Sequence, residues 1–286
     1  MIEEDPLNLD HARNVAVEAS EAAGALLREG LSAAVNVHAK GDAGDVVTDL
    51  DLAAEKVLLD RVLTEFPDHT VVAEESGTLG SAESRYSWLI DPLDGTNNLA
   101  IGLPAFVVGL ALCEDGLPVV GVVHEPVTGH TWSAVRGGGT AGPSGPVAPP
   151  YRPPAHGPVL AWTQGYGVAR DDPAARALKL TLETRARRVL QLWAPLLSWV
   201  MLARGDIHGI VGYRTETVDL HAGVLIAQEA GMTVRALDGG PFDGTAPAGE
   251  EGSSFVACHP AMLDELLRAA ADAARVRAAF PSFAGL

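Results

Sequence analysis

The chain predicts a layered α/β protein, and three features of its 286 residues say so. Short β-prone apolar runs alternate with helix-periodic segments through the second half, the pattern of stacked sheets and helices. The first half opens on two amphipathic segments and then carries apolar runs separated by turn residues, as antiparallel hairpins do. Hydrophobic residues make up 47% and charged residues 20%, an ordinary composition for a chain long enough to bury a large core. Thirty-seven acids against 20 bases leave a formal charge of −17, which argues against a nucleic-acid backbone as partner. No apolar run approaches the roughly 20 residues that span a bilayer. The acidic start of the chain has no signal-peptide character, so no membrane partner and a cytoplasmic location are expected. Cys113 and Cys258 sit in apolar, strand-like contexts and read as reduced core residues.

Taken in order, residues 8–31 form an amphipathic helix that Asn8 or Asp10 can cap. Its stripe is Val15, Ala19, Ala22, Ala23 and Leu26, and Gly30 follows the last turn. A strand at 34–38 leads into the glycine-rich, charged turn 40–45 and a β-prone 46–48. Residues 49–66 make a second helix, with Leu52, Val57, Leu58, Val62 and Leu63 inward and Pro67 ending it. The buried strand 70–73 runs straight into Glu74 and Glu75. Apolar runs at 106–113 and 119–123 flank a hairpin turn, and a third strand follows at 131–135. Residues 137–158 are mostly Gly, Pro, Ala and Ser and read as a loop or linker. They set the expected boundary between an N-terminal half, 1–146, and a C-terminal half, 147–286. In the second half, strands at 159–162, 188–192, 207–211, 233–237 and 254–257 alternate with helices at 173–184, 196–204, 219–230 and 260–279. His124, His130 and His208 show no metal-like spacing and read as satisfied strand or turn histidines. The stripe Leu263, Leu266, Leu267, Ala270 and Ala271 reads as core or dimer contact.

One stretch, residues 88–99, organises the rest. A strand end, Trp88-Leu89-Ile90, meets Asp91-Pro92-Leu93-Asp94, then Gly95-Thr96-Asn97-Asn98-Leu99. Asp91 and Asp94 are hard oxygen donors of the kind Mg²⁺ prefers. Pro92 fixes φ and turns the backbone so that both carboxylates can aim at one point. Gly95 lets the backbone approach a ligand closely. A helical turn from Thr96 to Leu99 leaves N–H groups, that of Asn97 among them, to hold an anion. Glu74 and Glu75 lie at the rim of the core, where an uncompensated charge is costly, and so face solvent, a cation or a partner. Asp51 and Asp219 sit at helix starts in the same way.

Glu74-Glu75-Ser76, Asp91-Pro-Leu-Asp-Gly-Thr-Asn-Asn98 and Asp219-Leu-His-Ala-Gly223 resemble, in order and spacing, the motifs of the inositol monophosphatase family. Asp45-Val-Val-Thr-Asp-Leu-Asp51, with Lys40 ahead of it, is similar to a fourth element of that family. The resemblance covers nearly the whole chain. It implies a Mg²⁺-dependent, lithium-sensitive phosphatase related to fructose-1,6-bisphosphatase, built as a five-layer αβαβα sandwich and assembled as a homodimer. Glu74, Asp91 and the carbonyl of Leu93 would hold one Mg²⁺; Asp91, Asp94 and Asp219 a second; Glu75 would assist a weaker third. Mn²⁺ is a possible substitute. Asp51 and Thr96 would take the proton of the attacking water, and the N–H groups of Gly95 and Thr96 would grip the phosphate. The implied substrate is an inositol phosphate or a related sugar or polyol phosphate.

The family's alcohol-binding signals are altered in this chain. Val218 stands where a tryptophan usually precedes the last metal aspartate, and His221 replaces an alanine. The expected Gly-Ser pair falls at Trp193-Ala194, and the acid that grips sugar hydroxyls falls at Gly212. Arg214, with Glu216 nearby, and His221, as a substrate contact or acid to the leaving group, are the substitute candidates. Two alternatives stay open. One is a relative acting on 3′-phosphoadenosine 5′-phosphate or histidinol phosphate. The other is a metal-binding homologue that has lost catalysis.

Overall fold

A computed structural model describes residues 7–31, 36–40, 45–81, 83–215, 220–242 and 252–277. The chain begins with α1 (Leu9–Gly30), capped by Asn8, whose side chain accepts from the His11 N–H at 3.0 Å. The inward face is Ala12, Val15, Ala16, Ala19, Ala23 and Leu27; Ala22 points out and Leu26 is only half-buried. This face of small residues lets α1 lie close on the sheet: a Cβ on Gly24 would stand 2.3 Å from the His124 ring. The hairpin β1 (Val37–Lys40) and β2 (Asp45–Thr48) follows, and residues 34 and 35 of the expected strand lie outside the described residues.

Helix α2 (Asp49–Glu65) starts in a capping box formed by Thr48 and Asp51. The box turns Asp51 inward, so Asp51, Ala54, Glu55, Leu58 and Val62 make the buried face. Leu52, expected inside, is 53% exposed. Polar groups displaced an apolar residue here because they serve the site beyond.

The first sheet contains β3 (Thr70–Ala73), β4 (Gly77–Gly80), β5 (Tyr86–Asp94), β6 (Val107–Glu114), β7 (Leu117–Glu125), β8 (His130–Val135), β9 (Gly139–Gly142) and β10 (Gly145–Val147). Its order is β10-β9-β8-β7-β6-β5-β3-β4, antiparallel except where β3 pairs with β5. Two expectations need correction. The backbone does not turn at Pro92; β5 continues to Asp94 with a register shift against β6 between Asp91 and Asp94. A proline is tolerated at such an irregularity, where a ladder N–H is missing anyway. Residues 139–147, read as part of a linker, form an edge hairpin instead. Their Gly and Pro content hides pairing on a sheet edge, where Pro146 needs no donor.

The second sheet is β12-β11-β13-β15-β14. It is built by β11 (Val159–Gln164), α4 (Pro173–Arg185), β12 (Arg188–Leu190), α5 (Pro195–Arg204), β13 (Gly209–Thr215), α6 (His221–Glu229), β14 (Thr233–Ala236), β15 (Ser253–Cys258) and α7 (Leu263–Arg277). Strand β11 runs parallel to β12 and β13, while β15 is antiparallel to both of its neighbours. In α7 the buried positions are Leu266, Ala269 and Ala273, and Ala271 of the expected stripe points outward.

Three apolar clusters define five layers. Helices α1 and α2 pack on the first sheet, with Trp88 and Leu58 fully buried. Helices α5 and α6 fill the space between the two sheets around Trp199, Val123 and Phe255. Helices α4 and α7 cover the outer face of the second sheet around Leu182, Leu266 and Trp162. Sheet and helix come close at Gly121, where a Cβ would meet the Ala222 carbonyl oxygen of α6 at 2.8 Å. Cys113 and Cys258 are buried free thiols, and burial pushes both up to about 12, so neither is a nucleophile. Among the described residues no helix is long and apolar enough to cross a membrane.

Candidate active site

The end of β5 carries the site. Asp91 and Asp94 are 3% and 5% exposed, which is costly for carboxylates without partners. Asp91 accepts the Leu93 N–H at 3.0 Å, a short loop that sets its orientation. Gly95 then takes φ +107° and opens α3 (Thr96–Ala100). The requirement for glycine comes from that left-handed φ and from the neighbouring chain: a Cβ would stand 2.9 Å from the Ala105 carbonyl oxygen.

Thr96 Oγ lies 2.7 Å from Asp51 Oδ1 and 2.9 Å from the Leu93 carbonyl oxygen. Asp51 also accepts the Thr48 N–H at 2.9 Å and the Thr48 hydroxyl. Burial pushes the Asp51 carboxyl up, and the hydrogen bonds from Thr48 and Thr96 only partly offset it. The helix start therefore delivers a buried base whose outward contact is one hydroxyl.

Glu74 continues the parallel pairing of β3 with β5, its N–H donating to the Ile90 carbonyl at 3.2 Å, which sets it beside Asp91. Lys40 reaches in from the first hairpin and donates to both Glu74 and Glu75 at 2.8 Å. Burial alone would lower the Lys40 pKa; the two carboxylates outweigh it and hold the ammonium well above its usual range. Burial also raises Glu75. Sequence reasoning missed Glu55, which is 2% exposed. It accepts the Glu75 N–H at 2.8 Å and the Ser76 hydroxyl, pinning the turn that carries Glu74. The available signal was its place four residues after Asp51 on one helix face.

These groups open on a cavity of about 570 Å³ between the two sheets. Glu74, Asp91, Leu93, Asp94, Gly95 and Thr96 line one end. The opposite wall comes from segments after β11, β12 and β13, including Tyr166, Gln191, Trp193 and Thr215. Asp94 ties the two together. Its Oδ2 accepts the Leu196 N–H at 2.6 Å, the first donor of α5, since Pro195 has none and Ala194 offers no side-chain cap. A carboxylate 102 residues away thus serves as the N-cap of that helix.

The remaining sequence candidates are not among the described lining residues. Asp51 stands behind Thr96, and Glu75 beside Glu74. The Asn97 side-chain amide donates to the Tyr166 hydroxyl at 3.3 Å. Arg214 does not line the cavity. A bulge in β13 gives it φ +47°, and its guanidinium stacks 5.4 Å over Tyr213 and reaches Asp172 at 3.8 Å. His221 is buried at the start of α6 and is absent from the described lining, where its neighbour Leu220 appears. Asp219, Glu216 and Val218 lie outside the described residues. Gly212 is packed under Phe255, where a Cβ would stand 2.3 Å from the ring, so no larger residue fits there as the ring stands. The His124 Nδ1 pairs with Thr131 at 2.9 Å, but its buried Nε2 has no partner among the described residues, unlike the satisfied histidine expected. No three acidic, His or Cys side chains among the described residues form a closed cation cage. The donor chemistry nevertheless suits a hard divalent cation: Glu74, Asp91, Asp94 and the Leu93 carbonyl are all oxygen donors at one cavity end.

The model of the Inositol monophosphatase family matches residues 8–275. The chain belongs to the inositol monophosphatase family. Among curated relatives, it is 35% identical over 240 residues to "Phosphatase IMPL1, chloroplastic" of Arabidopsis thaliana, a match covering 81% of this chain and 64% of that protein. It thus spans just under two thirds of that relative's length. It is also 31% identical to "Nus factor SuhB" of Pasteurella multocida, over 79% of this chain and 85% of that one. Among solved structures, an inositol monophosphatase from Anabaena superposes with a TM-score of 0.80 at 29% identity, covering 97% of this chain and 99% of its own. Family and fold extend over both sheets and the cavity between them, as the motifs implied.

Proposed function

We propose that this chain hydrolyses the phosphate monoester of a small alcohol, with Mg²⁺ held by Glu74, Asp91, the Leu93 carbonyl and Asp94, and with Mn²⁺ as a substitute. The observation that supports this most directly is the Thr96–Asp51 hydrogen bond of 2.7 Å at the acidic end of the cavity. Divalent cations bound there supply charge neutralisation at the phosphoryl oxygens and lower the pKa of water. The chain's own residues do the rest. The Thr96 hydroxyl donates to Asp51, so its lone pairs can accept from the attacking water; the proton then passes through that hydroxyl to the Asp51 carboxylate. Thr96 and Asn97 open a helix, where main-chain N–H groups lack intrahelical acceptors, and with the Gly95 N–H they grip the phosphate. Asp219 completes the donor set in this reading, two or three cations serve it, and the assembly is a homodimer.

The test is phosphate release from a panel of inositol, sugar, glycerol, histidinol and adenosine phosphates, with and without Mg²⁺ and with Li⁺. Release that requires Mg²⁺ and falls with Li⁺ is expected. Silence on every ester, with Mg²⁺ binding demonstrated, overturns it. The Nus-factor name of several relatives favours a second reading, in which the chain acts by binding a partner. The same silent panel would leave that reading standing.

A further inference from the structure

The wall of the cavity facing the carboxylates has an unusual composition. Among the described residues, the large hydrophobic side chains left exposed include only two aromatics, Trp193 at 52% and Tyr166 at 41%. Both line this one cavity. Exposed indole and phenol rings carry large apolar area, and convergence of two of them on a single cleft marks a binding surface. Each is tied to the catalytic end. The Tyr166 hydroxyl is bonded to Asn97, one residue from Thr96. Trp193 precedes Leu196 by three residues, and the Leu196 N–H is held by Asp94; three residues of chain reach at most about 11 Å.

The space and the charge of this wall agree with its rings. A cavity of about 570 Å³ falls in the range of sites for whole small ligands and far exceeds one phosphate. Beyond Glu74, Asp91 and Asp94 the described lining has no acidic residue; it offers Gln164, Gln191, Thr215 and the cations Arg170 and Lys40. Gly212, where an acid is expected from the sequence, is sealed under Phe255.

We infer that the substrate is a phosphate monoester whose alcohol carries a flat ring system, packed against Trp193 and Tyr166 while the phosphate sits at Asp94 to Thr96. This rests on the phosphatase reading above for the position of the phosphate. The ring adds stacking area that a saturated ring of equal size cannot match face to face.

The experiment uses the full chain with Mg²⁺ and a matched pair, 2-phenylethyl phosphate and 2-cyclohexylethyl phosphate, with adenosine 5′-phosphate as a larger flat ring. Both leaving groups are primary alcohols of similar basicity and similar size, and the chief difference between the rings is flatness. The expected kcat/KM ratio favours phenyl by about fivefold, and adenosine 5′-phosphate exceeds glycerol 2-phosphate by about tenfold or more. In Trp193→Ala both ratios collapse toward one, while Trp193→Phe keeps most of the preference. A wild-type ratio near one, a ratio unchanged in Trp193→Ala, or a Trp193→Ala effect confined to oligomeric state overturns the inference and leaves the phosphatase reading intact. If no ester is turned over, the phosphatase reading fails. Quenching of tryptophan fluorescence by the same pair then tests the ring-binding wall by itself: selective, Trp193-dependent binding of the phenyl ester supports a flat-ring site there, and equal binding overturns it.

Discussion

At the acidic end of the cavity Asp51, Asp91 and Asp94 are buried and held by main-chain or hydroxyl donors, whereas the opposite wall presents the exposed side chains of Tyr166, Gln191 and Trp193. Asp91 is set by the Leu93 N–H, Asp94 by the Leu196 N–H, Asp51 by Thr48 and Thr96, and the Glu74 turn by Glu55. Across the cavity, Tyr166, Gln191 and Trp193 follow the carboxyl ends of the parallel strands β11 and β12, the usual place for ligand contacts in such sheets. One end is preorganised and leaves a substitution no room to relax. The other can change residue type without disturbing a core. The proposed function divides chemistry and recognition between these two kinds of structure.

The sharpest way to break this contrast is Asp94→Asn. Asparagine keeps an acceptor for Leu196 but removes the charge, so a loss of about a thousandfold or more in Mg²⁺-dependent phosphate release is expected with the melting temperature nearly kept. Near-normal turnover would remove Asp94 from the chemistry. Thr96→Val, of equal shape, cuts the relay to Asp51. A fall in kcat of about 10²–10⁴-fold is expected with little change in KM, alongside a stability loss of about 1–3 kcal/mol from the buried carboxylate left short of a donor. Steady-state kinetics and urea unfolding measure the two effects separately.

Glu55→Gln leaves every cavity-lining side chain in place and loosens only their support. The Mg²⁺ concentration for half-maximal activity should rise about 10–100-fold, and an unchanged Mg²⁺ titration would show that the Glu74 turn is self-supporting. On the far wall, Gln191→Ala should cost less than about tenfold, through KM rather than kcat. A large kcat effect there would erase the division between the two ends.

The smallest effect concerns stability rather than turnover. Burial lowers the His124 pKa, and burial likewise lowers His69, whose Nδ1 accepts the Trp88 indole N–H at 3.1 Å. The unfolded chain therefore takes up these protons first. Stability is full above the unfolded histidine pKa of about 6.5 and is lost as pH falls below it. The melting temperature should drop between about pH 7 and pH 5, and His124→Gln should make that drop shallower.

Much of the molecule was legible because its signals are local. The alternation of strands and helices, the Asn8 cap and the run from Trp88 to Thr96 all depend on neighbours in the chain. The failures share one cause, a residue whose fate is set by something distant. Leu52 fits an apolar helix face, yet the site required Asp51 and Glu55 inside. Pro92 suits a turn, yet β6 holds the segment as a strand through an irregular register. The Gly-Pro stretch at 139–147 looks like a linker until β8 pairs with it. Trp193 was visible as a departure from a motif, but its company with Tyr166 on one wall required the fold.

The cap that Asp94 places on α5 has a practical consequence for anyone reshaping this pocket. Helix start and carboxylate share one hydrogen bond, so under the proposed function a cation bound at Asp94 would be linked through that bond to the bend carrying Trp193. If the proposed function holds, libraries that vary residues 191–193 would retune the grip on the alcohol, whereas those that shift Pro195 or Leu196 would move Asp94 and with it the geometry of the reaction.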